Sequence, residues 1–190
     1  VRYLTNASSG RMGQALAEEA RRLRASVTVV TGPCAELVPP GIREVAVITS
    51  EQMRRAVLAR CGRADVVIAA AAVSDWKFKA LSCQKIKRSA ASLRLTLIPN
   101  PDIIKEVGRR RRPGQILVGF ALETCRLRTA AREKMKRKNL DMIVANDPSA
   151  LAGARSRVAI IGRDGEACEF STRSKVEVAR AVHAHDTGLV

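Results

Sequence analysis

The sequence predicts a three-layer α/β fold around a mostly parallel sheet, and three observations predict it. Apolar stretches of strand length alternate with amphipathic stretches of helix length along the chain, the pattern of repeated strand–helix–strand units. The longest apolar stretch, VVIAAAAV from Val66 to Val73, is unbroken rather than alternating, as in strands covered on both faces. Polar residues follow three of these stretches, at Asp75, Glu123 and Asn146–Asp147, where open α/β sheets hold their ligands. With 190 residues, 46% of them hydrophobic, residues 1–190 are expected to form one domain with a substantial core.

The elements follow in order. The chain opens VRYLTNASSGRMGQALAEEA, in which Ser8, Ser9 and Gly10 make a small-residue turn that runs straight into a helix. The free N–H groups and positive dipole end of such a helix suit an anionic phosphate. QALAEEARRLR (14–24) has helical spacing, SVTVVTG (26–32) reads as a buried strand and EVAVI (44–48) as a second. EQMRRAVLARCG (51–62) is a helix closed by Gly62 at its C-cap, and DVVIAAAAV is the third strand. SDWKFKALSCQKIKR (74–88) is polar and irregular and is expected to be a long loop. SLRLTLI (92–98) alternates as a strand, and in PNPDIIKEVG (99–108) Pro101 and Asp102 start a short helix. QILVGFA (115–121) is a buried strand and TAAREKMKRKNLD (129–141) a strongly basic helix. DMIVAND, RVAIIG and ACEFS supply further short strands, and RSKVEVARAVHAH closes the chain as a helix.

Bulk properties narrow the function. The net charge of +16 predicts attraction to polyanions or phosphorylated small molecules. Aromatic residues, at 3%, are too few for the stacking platform of a single-strand binder. The charge therefore favours solubility and phosphate affinity over sequence-reading of DNA or RNA, and nucleic acid is not the expected partner. The run Arg109–Arg112 reads as a solvated loop before Pro113. No apolar run is long enough to span a membrane, and no basic-then-apolar leader opens the chain. Cys34, Cys61, Cys83, Cys125 and Cys168 are scattered and form no C-x-x-C pair; reduced thiols in a cytoplasmic protein are expected. His183 and His185 are too few for a metal site and read as part of a frayed end.

The polar residues beyond the strands describe one crevice, and Ala69 to Ala72 are small enough to leave a ligand room there. Lys85, in the loop after Asp75, can close over a bound triphosphate and exclude water, whereas Lys87 reads as solvated. Lys134 and Lys138 are four residues apart and share a helix face; a polyphosphate would relieve their mutual repulsion.

These stretches match a known pattern. VRYLTNASSGRMG, AAAVSDW, QKIKR, NPDI, VGFALET and KMKRKNLDMIVAND occur in that order over residues 1–147. On them the chain resembles phosphopantothenoylcysteine synthetase, the second domain of the bacterial bifunctional coenzyme A biosynthesis flavoprotein; beyond Asp147 the resemblance is thin. The resemblance implies a Rossmann-like sheet and a CTP-dependent ligase. It would activate the carboxylate of 4′-phosphopantothenate as an acyl-cytidylate with release of pyrophosphate, then let the amine of cysteine displace CMP. Lys85 would be the lysine that forms the acyl-cytidylate, and Asn6 the asparagine that holds it, with Arg2 and Ala72 tied to the same step. Asp75, the turn of Asn100, Pro101, Asp102 and Ile103, Phe120, Lys134 and Lys138, with Lys85, would bind the nucleotide. The resemblance further implies Mg2+ with unassigned ligands, no FMN in this domain itself, a homodimer, and a decarboxylase domain, fused or separate.

In the family a strand and a glycine-rich turn precede VRY, so the first strand is expected to be missing from this chain. A synthetase-like domain without activity, and a basic protein that binds nucleic acid through Arg109–Arg112 and the Arg126–Lys138 helix, are the alternatives. A short-chain dehydrogenase, which NASSGRMGQALA imitates, needs a tyrosine four residues before a lysine as proton shuttle; the one tyrosine here is Tyr3.

Overall fold

The computed structural model describes residues 4–80, 84, 94–122, 127–146, 155–163 and 167–186. Along them run α1 (Arg11–Arg22), β1 (Thr28–Thr31), β2 (Arg43–Ala46), α2 (Ser50–Cys61), β3 (Val66–Ala69), β4 (Trp76–Phe78), β5 (Leu97–Pro99) and α3 (Ile103–Arg110). They are followed by β6 (Ile116–Leu122), α4 (Leu127–Lys138), β7 (Met142–Asn146), β8 (Arg155–Gly162), β9 (Ala167–Ser174) and α5 (Lys175–Asp186). The main sheet has the order β3-β6-β7-β8-β9. β3, β6 and β7 are parallel, and β8 and β9 continue antiparallel as a hairpin, which needs only a short connection. β1 and β2 form a separate parallel pair, and β4 and β5 an antiparallel one.

The three layers follow from two apolar faces. On one, Leu117, Ile143, Ala145 and Ile161 of the sheet pack under Cys61 of α2, Val107 of α3 and Ala131 and Met135 of α4. On the other, Val118, Val144 and Ile160 pack under Ala15 and Leu16 of α1 and Val178, Ala179 and Val182 of α5. Leu117, Val118, Ile143 and Val144 are wholly buried, consistent with the unbroken apolar pattern of strands covered on both sides.

Helix boundaries have local causes. α1 begins three residues before its apolar spacing starts, because Gly10 adopts the left-handed conformation (φ 84°) and turns the chain into it. α2 starts at a capping box: Thr49 Oγ1 accepts from Gln52 N at 3.1 Å while Gln52 Oε1 accepts from Thr49 N at 3.0 Å. Its end at Gly62 is as expected, although Gly62 stays right-handed (φ −63°). Asp102 caps α3, accepting from Lys105 N at 3.2 Å.

Several expectations are corrected. The segment 74–88 is not loop throughout, since Trp76–Phe78 pairs with Leu97–Pro99; an isolated three-residue partner strand leaves no periodic trace. DVVIAAAAV keeps sheet pairing only to Ala69. The Arg109–Arg112 run is loop only in its second half: Arg109 and Arg110 finish α3. Arg111 pairs with Asp141 at 2.8 Å, and Arg112 with Asp65 at 2.5 Å. His183 is not in a frayed end but buried in α5, its Nε2 3.1 Å from Leu16 O. No helix among the described residues is long and apolar enough to cross a membrane.

α3 and α4 approach so closely that a Cβ on Gly108 would overlap the carbonyl oxygen of Lys138. Asn139 Nδ2 also donates to Gly108 O at 2.9 Å. Gly108→Ala is therefore expected to destabilise the protein by about 1–3 kcal/mol, the usual cost of overpacking, read as a lowered denaturant midpoint at unchanged m-value.

Two carboxylates tie helices together. Buried Glu19 on α1 pairs with Arg22 at 2.6 Å and with Arg180 of α5 at 3.7 Å. The hydrogen-bonded Arg22 guanidinium holds its pKa below the usual 4.5, against the opposing pull of burial. Glu106 of α3 is likewise lowered, first by its bidentate bonds from Arg54 of α2 at 2.6 and 2.8 Å. Groups with depressed folded-state values contribute stability above their unfolded pKa and lose it as pH falls through the folded one. Stability should thus decline below about pH 4.5. The decline should be shallower in Glu19→Gln/Glu106→Gln, as measured by urea unfolding across pH.

Candidate functional site

β6 and β7 end side by side, and β3 stops three residues short of them. Ala69 of β3 stands opposite Gly119 of β6, and Leu122 of β6 opposite Asn146 of β7. Beyond Ala69 the chain leaves the sheet as the segment 70–75, and two asparagines from distant segments hold it. Asn6, ahead of α1, donates from Nδ2 to Val73 O at 3.3 Å. Asn100, after β5, donates from its backbone N to Asp75 O at 2.8 Å. Its Nδ2 donates to Ser74 O at 2.8 Å and Trp76 O at 3.4 Å, and its Oδ1 accepts from Ser50 Oγ at 2.9 Å. One amide thus joins the start of α2, the segment after β3 and the turn into α3.

That turn carries the cation of the site. Lys138, at the far end of α4, is mostly buried and reaches along α3 until its Nζ lies 2.9 Å from Asp102 Oδ2. Asp102 is favoured there by the positive end of α3, and an anion arriving at the same helix end would compete with it for the ammonium. Asp75 and Ala72 are exposed, Pro101 is exposed and Ile103 half-buried at the head of α3. Phe120 is half-buried and packs in the core facing α1 and α5. Lys134, one turn before Lys138 on the same helix, is half-buried and engaged in an interaction of its own. Arg2 and Lys85 lie outside the described residues, as do Lys87, Glu123 and Asp147.

The structure therefore connects Asn6, Asn100 and Asp75 through the backbone of 73–76, and Asp102 with Lys138 through an ion pair. A groove lined by Pro101, Asp102, Lys105, Glu106, Arg109 and Arg110 runs from the same turn down α3, and its lining includes neither Asp75 nor Phe120. One contributor was not singled out from the sequence, and another was read only as part of the crevice. Ser50 orients Asn100, and its only sequence signal is its place directly after the Thr49 cap. Asn146 was visible as a strand-end polar residue, and its Oδ1 is buried without a hydrogen-bond partner among the described residues. A buried acceptor left unpaired is costly, which makes it a natural place for a ligand N–H. Among the described residues no group of three acidic, histidine or cysteine side chains could hold a metal.

Fold and crevice together define an open-sheet α/β domain whose binding face lies at the carboxyl ends of its parallel strands. The chain belongs to the DNA/pantothenate metabolism flavoprotein C-terminal domain family, whose model matches residues 1–187. It is 37% identical over 184 residues to the coenzyme A biosynthesis bifunctional protein CoaBC of Borreliella burgdorferi, covering 96% of this chain and 47% of that protein. The crystal structure of the C-terminal domain of a CoaBC superposes on all of this chain with TM-score 0.84 at 36% identity, over 87% of that domain. A solved complex of Cab2 with phosphopantothenate-cysteine shares the fold, at TM-score 0.78 and 16% identity over 99% of this chain and 81% of the other. The chain spans about half the length of the curated relatives it matches.

Asn100→Ala would leave Ser50 Oγ and Ser74 O without their partners. It is expected to cost about 1–2 kcal/mol of stability and to speed proteolysis within 70–76, checked by urea unfolding and by mapping the first cleavage site.

Proposed function

We propose that the chain is the ligase domain that joins 4′-phosphopantothenate to L-cysteine in coenzyme A biosynthesis, with CTP as the activating nucleotide. The observation that carries this reading is the convergence of Asn6 and Asn100 on 73–76, beside the Asp102–Lys138 pair, at the ends of parallel strands. It is joined by membership of a family whose relatives are named for that biosynthesis.

The chemistry explains why such a crevice is needed. A carboxylate is a poor acyl donor, so its oxygen attacks the α-phosphorus of CTP, the bond to the β-phosphate breaks and pyrophosphate leaves. The neutral amine of cysteine then attacks the acyl carbon, an amide forms, the amine gives up a proton and CMP leaves. Both steps depend on positioning and charge neutralisation rather than on covalent help from the protein.

The residues divide the work accordingly. Lys85 neutralises charge as the acyl-cytidylate forms. Lys134 and Lys138 hold the triphosphate, Lys138 exchanging Asp102 for phosphate. Asp75 accepts a donor from the nucleotide, the turn of Asn100, Pro101, Asp102 and Ile103 shapes its seat, and Phe120 supplies an apolar wall. Asn6, with Arg2 and Ala72, holds the acyl-cytidylate for the second step. Mg2+ would bind chiefly through the phosphates and lower their charge; the oxygens of Asp75 and Asn146 suit so hard a cation but are too few to cage it. The 190 residues act as one domain, as a homodimer, beside a decarboxylase domain in cis or in trans.

The intact protein is expected to make pyrophosphate, CMP and the amide only when CTP, phosphopantothenate and cysteine are all present, measured by mass spectrometry. Lys85→Gln should slow pyrophosphate release by about 100-fold, in the range for loss of one charge-stabilising group. Asn6→Asp should let the acyl-cytidylate accumulate. No amide from the wild type would refute the activity, and wild-type rates in both variants would refute the assigned roles.

A further inference from the structure

The pole opposite the crevice carries a second charged surface. α2, α3 and α4 each end a short turn before β3, β6 and β7 begin, so their C-terminal ends meet along the amino ends of those strands. Arginines lace the intervening turns into one rim. Arg112 Nη2 donates to Ala64 O at 3.2 Å and pairs with Asp65. Arg111 Nη1 donates to Asn139 O at 3.3 Å and pairs with Asp141. Arg163, after β8, donates from Nη2 to Asn139 Oδ1 at 3.0 Å.

Along this rim Arg60, Arg63, Lys136, Arg137 and Arg163 are exposed. Arg63, Lys136 and Arg137 carry no ion pair among the described residues. Among the described residues the acids of the rim, Asp65 and Asp141, are already taken by Arg112 and by Arg111 and Arg163; Glu133 lies one turn higher on α4. The helix dipole favours a cation in each last turn. It does not account for Arg63 and Arg163, which lie beyond the helices and add to the mutual repulsion.

We infer that this rim docks the phosphate backbone of double-stranded nucleic acid without reading its sequence. Separate cations on the ends of α2 and α4 and in the turn after β8 match a line of phosphates better than a single small anion, which needs convergent groups in a concavity. No exposed aromatic side chain lies on the rim among the described residues, so bases have nothing to stack on and a duplex is favoured over a single strand. An acidic protein is the poorer fit, because protein interfaces are anchored by aromatic and apolar groups, and here Val66, 37% exposed, is the only large apolar side chain among the described residues that stands exposed at the edge of the rim. The scarcity of aromatic residues that set nucleic acid aside in the sequence thus bears on base stacking alone. This surface is independent of the ligase reading.

The test is fluorescence anisotropy of a short labelled duplex of arbitrary sequence with the full chain, across about 50 to 200 mM salt. Three neutralised phosphates give a slope of log K against log salt of about −2.7. Arg63→Glu/Lys136→Glu/Arg137→Glu should weaken binding at least about tenfold with unchanged circular dichroism. Arg55→Glu/Lys79→Glu/Arg94→Glu, an equal charge change away from the rim, should leave it nearly intact. Equal losses in both variants, a flat salt response, or equal competition by polyglutamate at matched charge would overturn the proposal.

Discussion

The carboxylate of Asp141 is the contact on which the rest of the structure depends. Its Oδ2 accepts from Leu117 N at 2.9 Å and from Arg111 Nη1 at 2.8 Å, its Oδ1 lies 3.2 Å from Arg163 Nη2, and its own N donates to Leu117 O at 2.9 Å. One side chain thereby sets β6 against β7, pins the turn leaving α3 and meets the turn leaving β8. Strand register has a period of two, so a slip of one residue would turn every side chain to the wrong face. With register set at the amino ends, Leu122 and Asn146 must arrive side by side at the carboxyl ends, where the crevice is.

At that other end the organising group is an amide rather than an ion. Asn100 has donors and an acceptor, and it uses both to join three segments that are far apart in the chain. A carboxylate there would face Ser74 O with no proton to give. The neighbouring Asp102 has the complementary task, capping α3 and holding Lys138 at the same place. Amide and carboxylate two residues apart therefore do different work: one sets the shape of the crevice and the other stores a cation at its edge.

The two poles follow from one topological fact. A helix that returns the chain to the start of the next parallel strand brings its C-terminal end to the amino pole, where cations are favoured. α2, α3 and α4 each close on basic residues, so a large part of the positive charge is carried away from the crevice. Lys138 escapes this sorting because its stem runs up along α3, which the missing side chain of Gly108 allows to pack tightly against the end of α4.

The alternation of apolar and amphipathic stretches was enough to give the three-layer class, the parallel β3-β6-β7 core and the strand-end location of Asp75 and Asn146, because burial on both faces leaves an unbroken apolar run. The helix start at Asp102 was legible through its local Pro-Asp signal, whereas the Thr49 capping box was not read and α2 starts one residue earlier than expected. Asn6 and Asn100 were legible only as members of motifs; nothing local shows that both bind the backbone of 73–76. The pairing of β4 with β5, the burial of His183 against α1, the bracing roles of Arg111 and Arg112 and the Asp102–Lys138 pair were decided by tertiary structure alone. Each joins residues distant in sequence. Local propensity and periodicity report how a segment meets its immediate neighbours and which side it buries, whereas a partner across the fold is selected only once the layers have packed.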